Sequence, residues 1–304
     1  MSKREIRIGT RKSKLALWQA KTVANKLNEI GYKSSIFPIK SEGDINLIQP
    51  IYSMGVQGVF TRKLDAALLE NKIDIAVHSL KDVPTNLPEG IVMNSTIRRG
   101  DPYDLLLFDE ESKLHNIGKV GTGSLRRRAQ WLRKYPHDET EVIRGNVQTR
   151  IEKLKGLNLK GVILAKAGID RLGIKNLNFK VLKWMIPAPS QAIIGIASLD
   201  TNKSVKKVLS KINCEKTFYC ATIERTFLRI LEGGCSAPIG GLAVTEGGFA
   251  NFKGGLFSLN GEKSVLADHR FSIKENPISL GEKIALDILK KGGKSIIDKI
   301  KTQL

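Results

Sequence analysis

The chain lacks any apolar run near the roughly 18 residues that a membrane-crossing helix needs, so a helical membrane protein is excluded. Its first residues, Met1-Ser2-Lys3-Arg4-Glu5-Ile6-Arg7-Ile8, enter an alternating strand pattern with no secretory apolar stretch, and the expected location is the cytosol. Cysteine is scarce: Cys214, Cys220 and Cys235 have neither metal-site spacing nor a disulfide framework. The four histidines (His78, His115, His137, His269) share no motif, and none stands near Cys235 in sequence, so a protease-like Cys-His pair has no local support. Aromatics make up 6%, too few to interleave with basic clusters as base-stacking surfaces require. Acidic residues are the other shortage, 30 against 50 basic, leaving a formal charge of +20 over 304 residues.

Lysine contributes 34 of the basic residues, and much of it reads as a solvated face. Arginine behaves differently. Eight of the 16 arginines fall at 98, 99, 126, 127, 128, 133, 144 and 150. Guanidinium forks grip carboxylates and phosphates with paired hydrogen bonds, so the cluster points to a polyanionic ligand. Nucleic acid and a multi-carboxylate small molecule are the two candidates.

Hydrophobic content of 41% supports real cores, and the length allows two or three domains. Two stretches resemble each other: Ile8-Gly9-Thr10-Arg11-Lys12-Ser13 before Leu15–Ala20, and Val120-Gly121-Thr122-Gly123-Ser124 before Leu125–Leu132. Each reads as strand, Gly-Thr turn, Ser at a helix start, then a helix carrying a tryptophan, Trp18 or Trp131, on a face expected to be buried. Free N–H groups at helix starts make both turns candidate anion sites. Helices are expected over Ser13–Ile30, Phe60–Glu70, Leu125–Tyr135, Val147–Lys155 and Ala167–Leu172. Strands are expected over Ser35–Ile39, Ile73–Val77, Leu105–Phe108, Glu141–Ile143 and Gly161–Leu164, with a long loop over 43–58. Alternation of strands and helices implies mostly parallel sheets. From Lys216 the texture changes: a helix over Phe218–Leu231, strands at Leu242–Val244, Phe249–Leu256 and Ser264–Phe271, then helices from Leu280 and Ser295, an α+β pattern.

The strand Ile73–Val77 runs into His78-Ser79-Leu80-Lys81-Asp82, polar groups delivered where open α/β sheets bind ligands. Arg144-Gly145-Asn146 follows another strand, with Arg150 one turn into the next helix. Arg126, Arg127 and Arg128 step by about 100° each on a helix, so at most two face one way and Arg128 is expected to point elsewhere. Cys235 follows a helix and Gly233-Gly234, in a loop where a thiol is accessible as nucleophile or covalent anchor. Cys214 and Cys220 read as small hydrophobes.

Several of these segments together resemble the porphobilinogen deaminase (hydroxymethylbilane synthase) family. They are Gly9–Ser13 with Leu15–Ala20, Asp74–Pro84, Gly121–Arg127, Arg144–Val147 with Thr149-Arg150, Ala167-Gly168 with Arg171–Gly173, Glu224-Arg225, and Leu231–Cys235. The resemblance implies an α/β fold: two similar periplasmic-binding-protein-like lobes with mostly parallel sheets, plus a C-terminal α+β domain. The lobes are expected at 1–97 with 193–212 and at 98–192, and the third domain, with the cofactor cysteine, at 216–304. It implies a cytoplasmic transferase of porphyrin and haem biosynthesis that joins four porphobilinogen molecules into hydroxymethylbilane with release of ammonia. Its cofactor is a dipyrromethane on a cysteine thioether, by motif position Cys235, and its catalytic aspartate is Asp82. Lys81, Asp82, Thr122, Ser124, Arg126, Arg127, Arg144, Asn146 and Arg150 match positions holding the cofactor or chain. Arg11, Ser13, Gln19, Arg150 and Arg171 match positions near substrate and product. A monomer with porphobilinogen as its small-molecule partner, no nucleic acid, no membrane and no metal is expected.

Three positions depart from the family pattern. Pro189-Ser190-Gln191-Ala192 replaces the frequent Val-Gly-Gln-Gly, Val56-Gln57-Gly58 replaces Gly-Lys-Gly, and Gly123 replaces a serine. The competing readings are a non-catalytic two-lobed anion-binding protein, which gives no reason for Gly233-Gly234-Cys235, and a basic nucleic-acid-binding protein.

Overall fold

The computed structural model describes residues 5–41, 58–231 and 237–303. Residues 43–57 of the expected loop, and Cys235 with its glycines, lie outside them. The chain forms two compact units. The first holds residues 56–100 and 192–219 together with the N-terminal segment, and the second holds 101–191 and 220–304.

In the first unit, β1 (Ile6–Arg11), α1 (Lys14–Glu29), β2 (Ser34–Ile39), α2 (Arg62–Leu69), β3 (Ile75–Ser79) and β4 (Ile91–Thr96) follow in sequence. The sheet order is β2-β1-β3-β10-β4, where β10 is Ile194–Leu199. Strands β1, β2 and β3 run parallel, and β10 runs against both β3 and β4. Four strands therefore point one way and one is reversed. Both faces are covered. Val23 and Leu27 of α1 pack on Ile8, Ile75 and Ile196, while Leu64 and Leu68 of α2 pack with Ala76 and Ala197. Coverage on both faces explains why β3 reads as a continuous apolar run. Helix α6 (Lys203–Ser210) adds Val205, Val208 and Leu209 to the first of these cores.

The second unit repeats the plan. Its strands are β5 (Asp104–Phe108), β6 (Lys119–Gly121), β7 (Glu139–Glu141), β8 (Gly161–Ala165) and β9 (Asn178–Val181), in the order β7-β6-β8-β5-β9. Again the fourth position is reversed: β5 is antiparallel to β8 and β9, whereas β6 is parallel to β7 and β8. Helices α3 (Leu125–Lys134), α4 (Val147–Gly156) and α5 (Lys166–Leu172) connect these strands. The same unit carries an antiparallel sheet of β11 (Ile239–Glu246), β12 (Phe249–Phe257) and β13 (Ser264–Ser272). Helix α7 (Glu215–Ile230) leads into it, and α8 (Pro277–Ile288) and α9 (Lys294–Gln303) close the chain. Phe227 of α7 meets Phe252 of β12 edge-on at 4.9 Å.

Several sequence expectations shift. The Glu141–Ile143 strand is instead β7 at Glu139–Glu141, and Ile143 is a buried core residue beyond its end. The Ile73–Val77 strand begins at Ile75 and continues to Ser79. Helix α8 starts at Pro277, capped by Asn276, three residues before the expected Leu280. Trp131 is buried, but Trp18 is 39% exposed, because the buried stripe of α1 runs through Ala16, Gln19, Ala20, Val23 and Leu27.

Candidate functional site

The first unit gathers its site residues where β1 and β3, neighbours in the sheet, end side by side. Arg11 is the last residue of β1, and Ser13 caps α1, its side chain accepting from Ala16 N at 3.3 Å. Strand β3 ends at Ser79 and passes into a single 3₁₀ turn, Leu80–Asp82. Arg11, Ser13, Gln19, His78, Ser79 and Asp82 consequently line one cleft, with Phe60 at its side. The Arg11 guanidinium lies 4.1 Å from the centre of the Phe60 ring, a cation–π contact that fixes its direction. Gln19 is 1% exposed and donates to Ser79 Oγ at 2.8 Å, tying α1 to the end of β3. Thr10, fully buried, donates to Ala16 O at 3.1 Å and so holds the Gly-Thr turn against its helix. Lys81 is half-buried within the same 3₁₀ turn.

In the second unit two helix starts carry candidate site residues. Ser124 caps α3 and Asn146 caps α4, accepting from Thr149 N at 3.0 Å. Thr122, 3% exposed, accepts from Ser124 N at 3.2 Å and shapes the turn before α3. Arg126 and Arg127 are buried, and Arg128 is exposed, as the 100° steps require. Both buried guanidiniums meet Asp104 at the head of β5. Arg126 Nη2 donates to Asp104 Oδ2 at 2.8 Å, and Arg127 donates to Oδ1 from Nε and Nη2 at 3.2 and 2.8 Å. Gln191 Nε2 adds a bond to Oδ1 at 2.9 Å. Arg127 Nη1 also donates to Ile163 O, so all three of its nitrogens are engaged. Arg126 Nη1 donates to Ile186 O at 2.7 Å, while its buried Nε has no hydrogen-bond partner among the described residues.

Electrostatics follow from this packing. Burial would raise the Asp104 carboxyl, but the Arg126 and Arg127 charges and the bonds from Arg127 and Gln191 hold it well below the usual range. Burial pulls the Arg126 guanidinium down, and it lowers Arg144 too. Arg171 on α5 and Arg225 on α7 are brought down to about 10 by burial. Arg150 Nε donates to Gly145 O at 2.9 Å, closing the turn before α4. Gly145, at φ 113°, has a conformation that favours glycine, and a Cβ there would crowd Thr149. At the departing position Gly123, a Cβ would stand 2.7 Å from Ile143 O, so this turn is built for the glycine it has.

His78 and Ser79, marked in the sequence by their place at a strand end, line the first cleft. Structure adds residues that the sequence did not mark as site groups: Phe60 lines the same cleft, and Asp104 and Gln191 organise the arginines. The available signal for Asp104 was an acid heading an apolar strand, which must find buried cations. Among the described residues no group of three or more His, Cys, Asp or Glu could hold a metal ion, and no helix is long and apolar enough to cross a membrane.

Known proteins match this chain over nearly its whole length. A family model described as "Porphobilinogen deaminase, dipyromethane cofactor binding domain" matches residues 6–207, and one described as "Porphobilinogen deaminase, C-terminal domain" matches 218–290. The chain is 40% identical to the "Probable porphobilinogen deaminase" of Methanocaldococcus jannaschii, over 93% of this chain and 99% of that protein. It is 38% identical to the porphobilinogen deaminases of Trichlorobacter lovleyi and Listeria welshimeri, over 99% of this chain and 98% and 100% of theirs. Among solved structures, a protein of Bacillus subtilis titled "probable amino-acid ABC transporter extracellular-binding protein" overlays 69% of this chain and 90% of its own, with a TM-score of 0.44 and 13% identity.

Proposed function

The chain belongs to the porphobilinogen deaminase family, and we propose that Asp82 is its catalytic carboxylate, with Arg11, Ser13, Gln19, Arg150 and Arg171 serving substrate and growing chain. The activity is that of a transferase of porphyrin and haem biosynthesis, which condenses four porphobilinogen molecules into hydroxymethylbilane and releases ammonia at each step. Its cofactor is dipyrromethane. When bound, that group supplies the pyrrole to which the chain is added.

The observation carrying the proposal is that one cleft holds Asp82 together with Arg11, Ser13 and Gln19. Porphobilinogen bears an acetate and a propionate. Arg11 can fork one carboxylate, and the Ser13 hydroxyl, which accepts from Ala16 N, retains its proton for donation. Gln19 is held by Ser79 and gives that wall a fixed shape. Asp82 then faces the pyrrole N–H, and its negative charge steadies the cation that develops as ammonia leaves.

For the cofactor, the donor set fits a polycarboxylate. Arg126 keeps an unpartnered buried Nε, Arg144 is a cation depressed by burial, and Ser124 and Asn146 sit at helix starts. Lys81, Thr122 and Arg150 complete the proposed donor set, with the thioether on Cys235, while Arg127, whose nitrogens are engaged within the fold, supports it by holding Asp104. Residues 216–304 are taken as a domain of their own beside lobes at 1–97 with 193–212 and at 98–192. The protein is taken to work in the cytoplasm as a monomer without nucleic acid.

Asp82→Asn tests the assignment. It keeps shape and removes charge, so turnover should fall by roughly two to three powers of ten with an unchanged fold. Near-wild-type turnover would remove Asp82 from the mechanism.

A further inference from the structure

The turn between β12 and β13 is internally stiff. Gly261, at φ 77°, donates its N–H to Ser258 O at 2.9 Å, Lys263 N donates to Ser258 Oγ at 2.9 Å, and Asn260 Oδ1 accepts from Glu262 N at 3.3 Å. Its tip rests on the backbone of α3. A Cβ at Gly261 would overlap Ala129 O and stand 2.8 Å from Arg133 N, the two groups that close one turn of that helix. Arg133 Nη1 reaches back to Glu262 O at 3.3 Å. The same sheet has a second attachment, where Gly241 N of β11 donates to Pro187 O at 2.9 Å. The neighbouring Ile186 is fastened to α3 in turn: its O accepts from Arg126 Nη1 and Gln130 Nε2, and its N donates to Gln130 Oε1.

We infer that Gly261 is a positioning residue: the β12–β13 turn sets where α3 lies, and so where Arg126 is presented to a carboxylate of the ligand. This rests on the proposed ligand role of Arg126. A turn that merely covered α3 could carry a side chain. Here the obstacle to a Cβ is helix backbone, which no rotamer change relieves, so a larger residue must move the turn or the helix. Arg126 sits one turn before Ala129, and displacement of the helix reaches its guanidinium directly.

The test compares Gly261→Ala with Gly248→Ala. Gly248 lies in the other turn of the same sheet at φ 81°, and a Cβ there meets nothing within 4 Å. Both variants carry the same class of backbone strain; only one presses on α3. Each is purified as holoenzyme. Thermal midpoint, KM and kcat for porphobilinogen, and the mass ladder of covalent enzyme species are measured. Gly261→Ala should raise KM or slow the early condensations by roughly ten- to a hundredfold relative to Gly248→Ala, with the ladder shifted to early species. Arg133→Leu, which removes the side-chain contact without a clash, should move the ladder the same way by a smaller factor, and it decides the question if Gly261→Ala does not fold. Kinetics and ladders of Gly261→Ala and Arg133→Leu that match Gly248→Ala would overturn the inference. Arg126→Leu separates the two levels. An altered ladder there with an unchanged one in Gly261→Ala removes only the positioning role, whereas a wild-type ladder in Arg126→Leu removes the ligand role and the inference with it.

Discussion

Arg126 and Arg127, neighbours in the chain, donate to different oxygens of one buried carboxylate, Asp104 Oδ2 and Oδ1. Arg127 spends its three nitrogens inside the fold, while Arg126 has Nε to spare. Two residues that look equivalent in sequence therefore have different work.

Arg127→Leu should chiefly cost stability, about 3–5 kcal/mol, because it strips one oxygen of a buried carboxylate of two donated bonds and removes the bond to Ile163 O. Arg144→Leu should instead fold and stall early in cofactor assembly or chain growth. Denaturant unfolding alongside intact-mass spectra would tell the two apart. Equal stability losses in both would contradict the division.

The pH dependence of Asp104 has a definite sign. Its folded pKa is depressed, so the stability it contributes is fully present above the unfolded value of about 3.9 and is lost as pH falls below it. Asp104→Asn should be less stable than wild type at neutral pH, with the gap narrowing as pH drops through about 4. A gap that stayed constant down to acid unfolding would mean the carboxylate is not held this way.

Ser190 and Ala192 both have left-handed backbones, φ 64° and 67°, where many family members carry glycine. Ser190 also buries a hydroxyl without a partner among the described residues, while its N–H donates to the buried Glu224 at 2.5 Å. Ser190→Gly relieves both the conformation and the hydroxyl, and should stabilise by about 1–2 kcal/mol. Ala192→Gly relieves only the first and should gain about 0.5 kcal/mol, since glycine also loosens the unfolded chain. Unfolding midpoints in urea measure both, and a loss of stability in either would refute the strain assigned to it.

Protein made in cells that supply porphobilinogen should exceed its sequence mass by two linked pyrrole units, on the peptide containing Cys235. Thiol reductants should not remove them, since a thioether has no sulfur–sulfur bond. Cys235→Ser should lack the added mass and be inactive, and should melt earlier, because a ligand held by the folded state alone stabilises it. Cys214→Ser and Cys220→Ser should keep both cofactor and activity. Cofactor found on Cys220, a buried residue of α7, would defeat the assignment.

The elements with regular periodicity were legible. Ser13 caps α1 as its position suggested, and α1 ends within one residue of the expectation. The Gly-Thr-Ser resemblance corresponds to two sheets of one strand order. What sequence could not convey was pairing over long separations. Strand β9 is only four residues, with no buried side chain among them, and carries no periodic signal. Asp104 and Gln191 stand 87 residues apart, and nothing local to either says that they share a hydrogen bond. Arg127 matched a ligand-holding position, yet a motif cannot say how many of its donors the fold already uses. Trp18 misled because tryptophan usually implies burial, while on α1 the stripe beside it was already filled by alanine, glutamine and valine.

The reversed strand of the first sheet has a consequence for synthesis. All five strands of the second sheet lie between Asp104 and Val181, an unbroken stretch of chain. The first sheet has β4 hydrogen-bonded only to β10, and β10 ends at Leu199. A nascent chain that has emerged as far as Thr96 has made four strands of that sheet and can pair three of them. Its fourth, with the apolar edge of β3, waits for about another hundred residues to be translated, several seconds at typical ribosome speeds. The lobe that begins first is finished second, and a ribosome stalled in between exposes an open sheet edge to any chaperone or stray strand nearby.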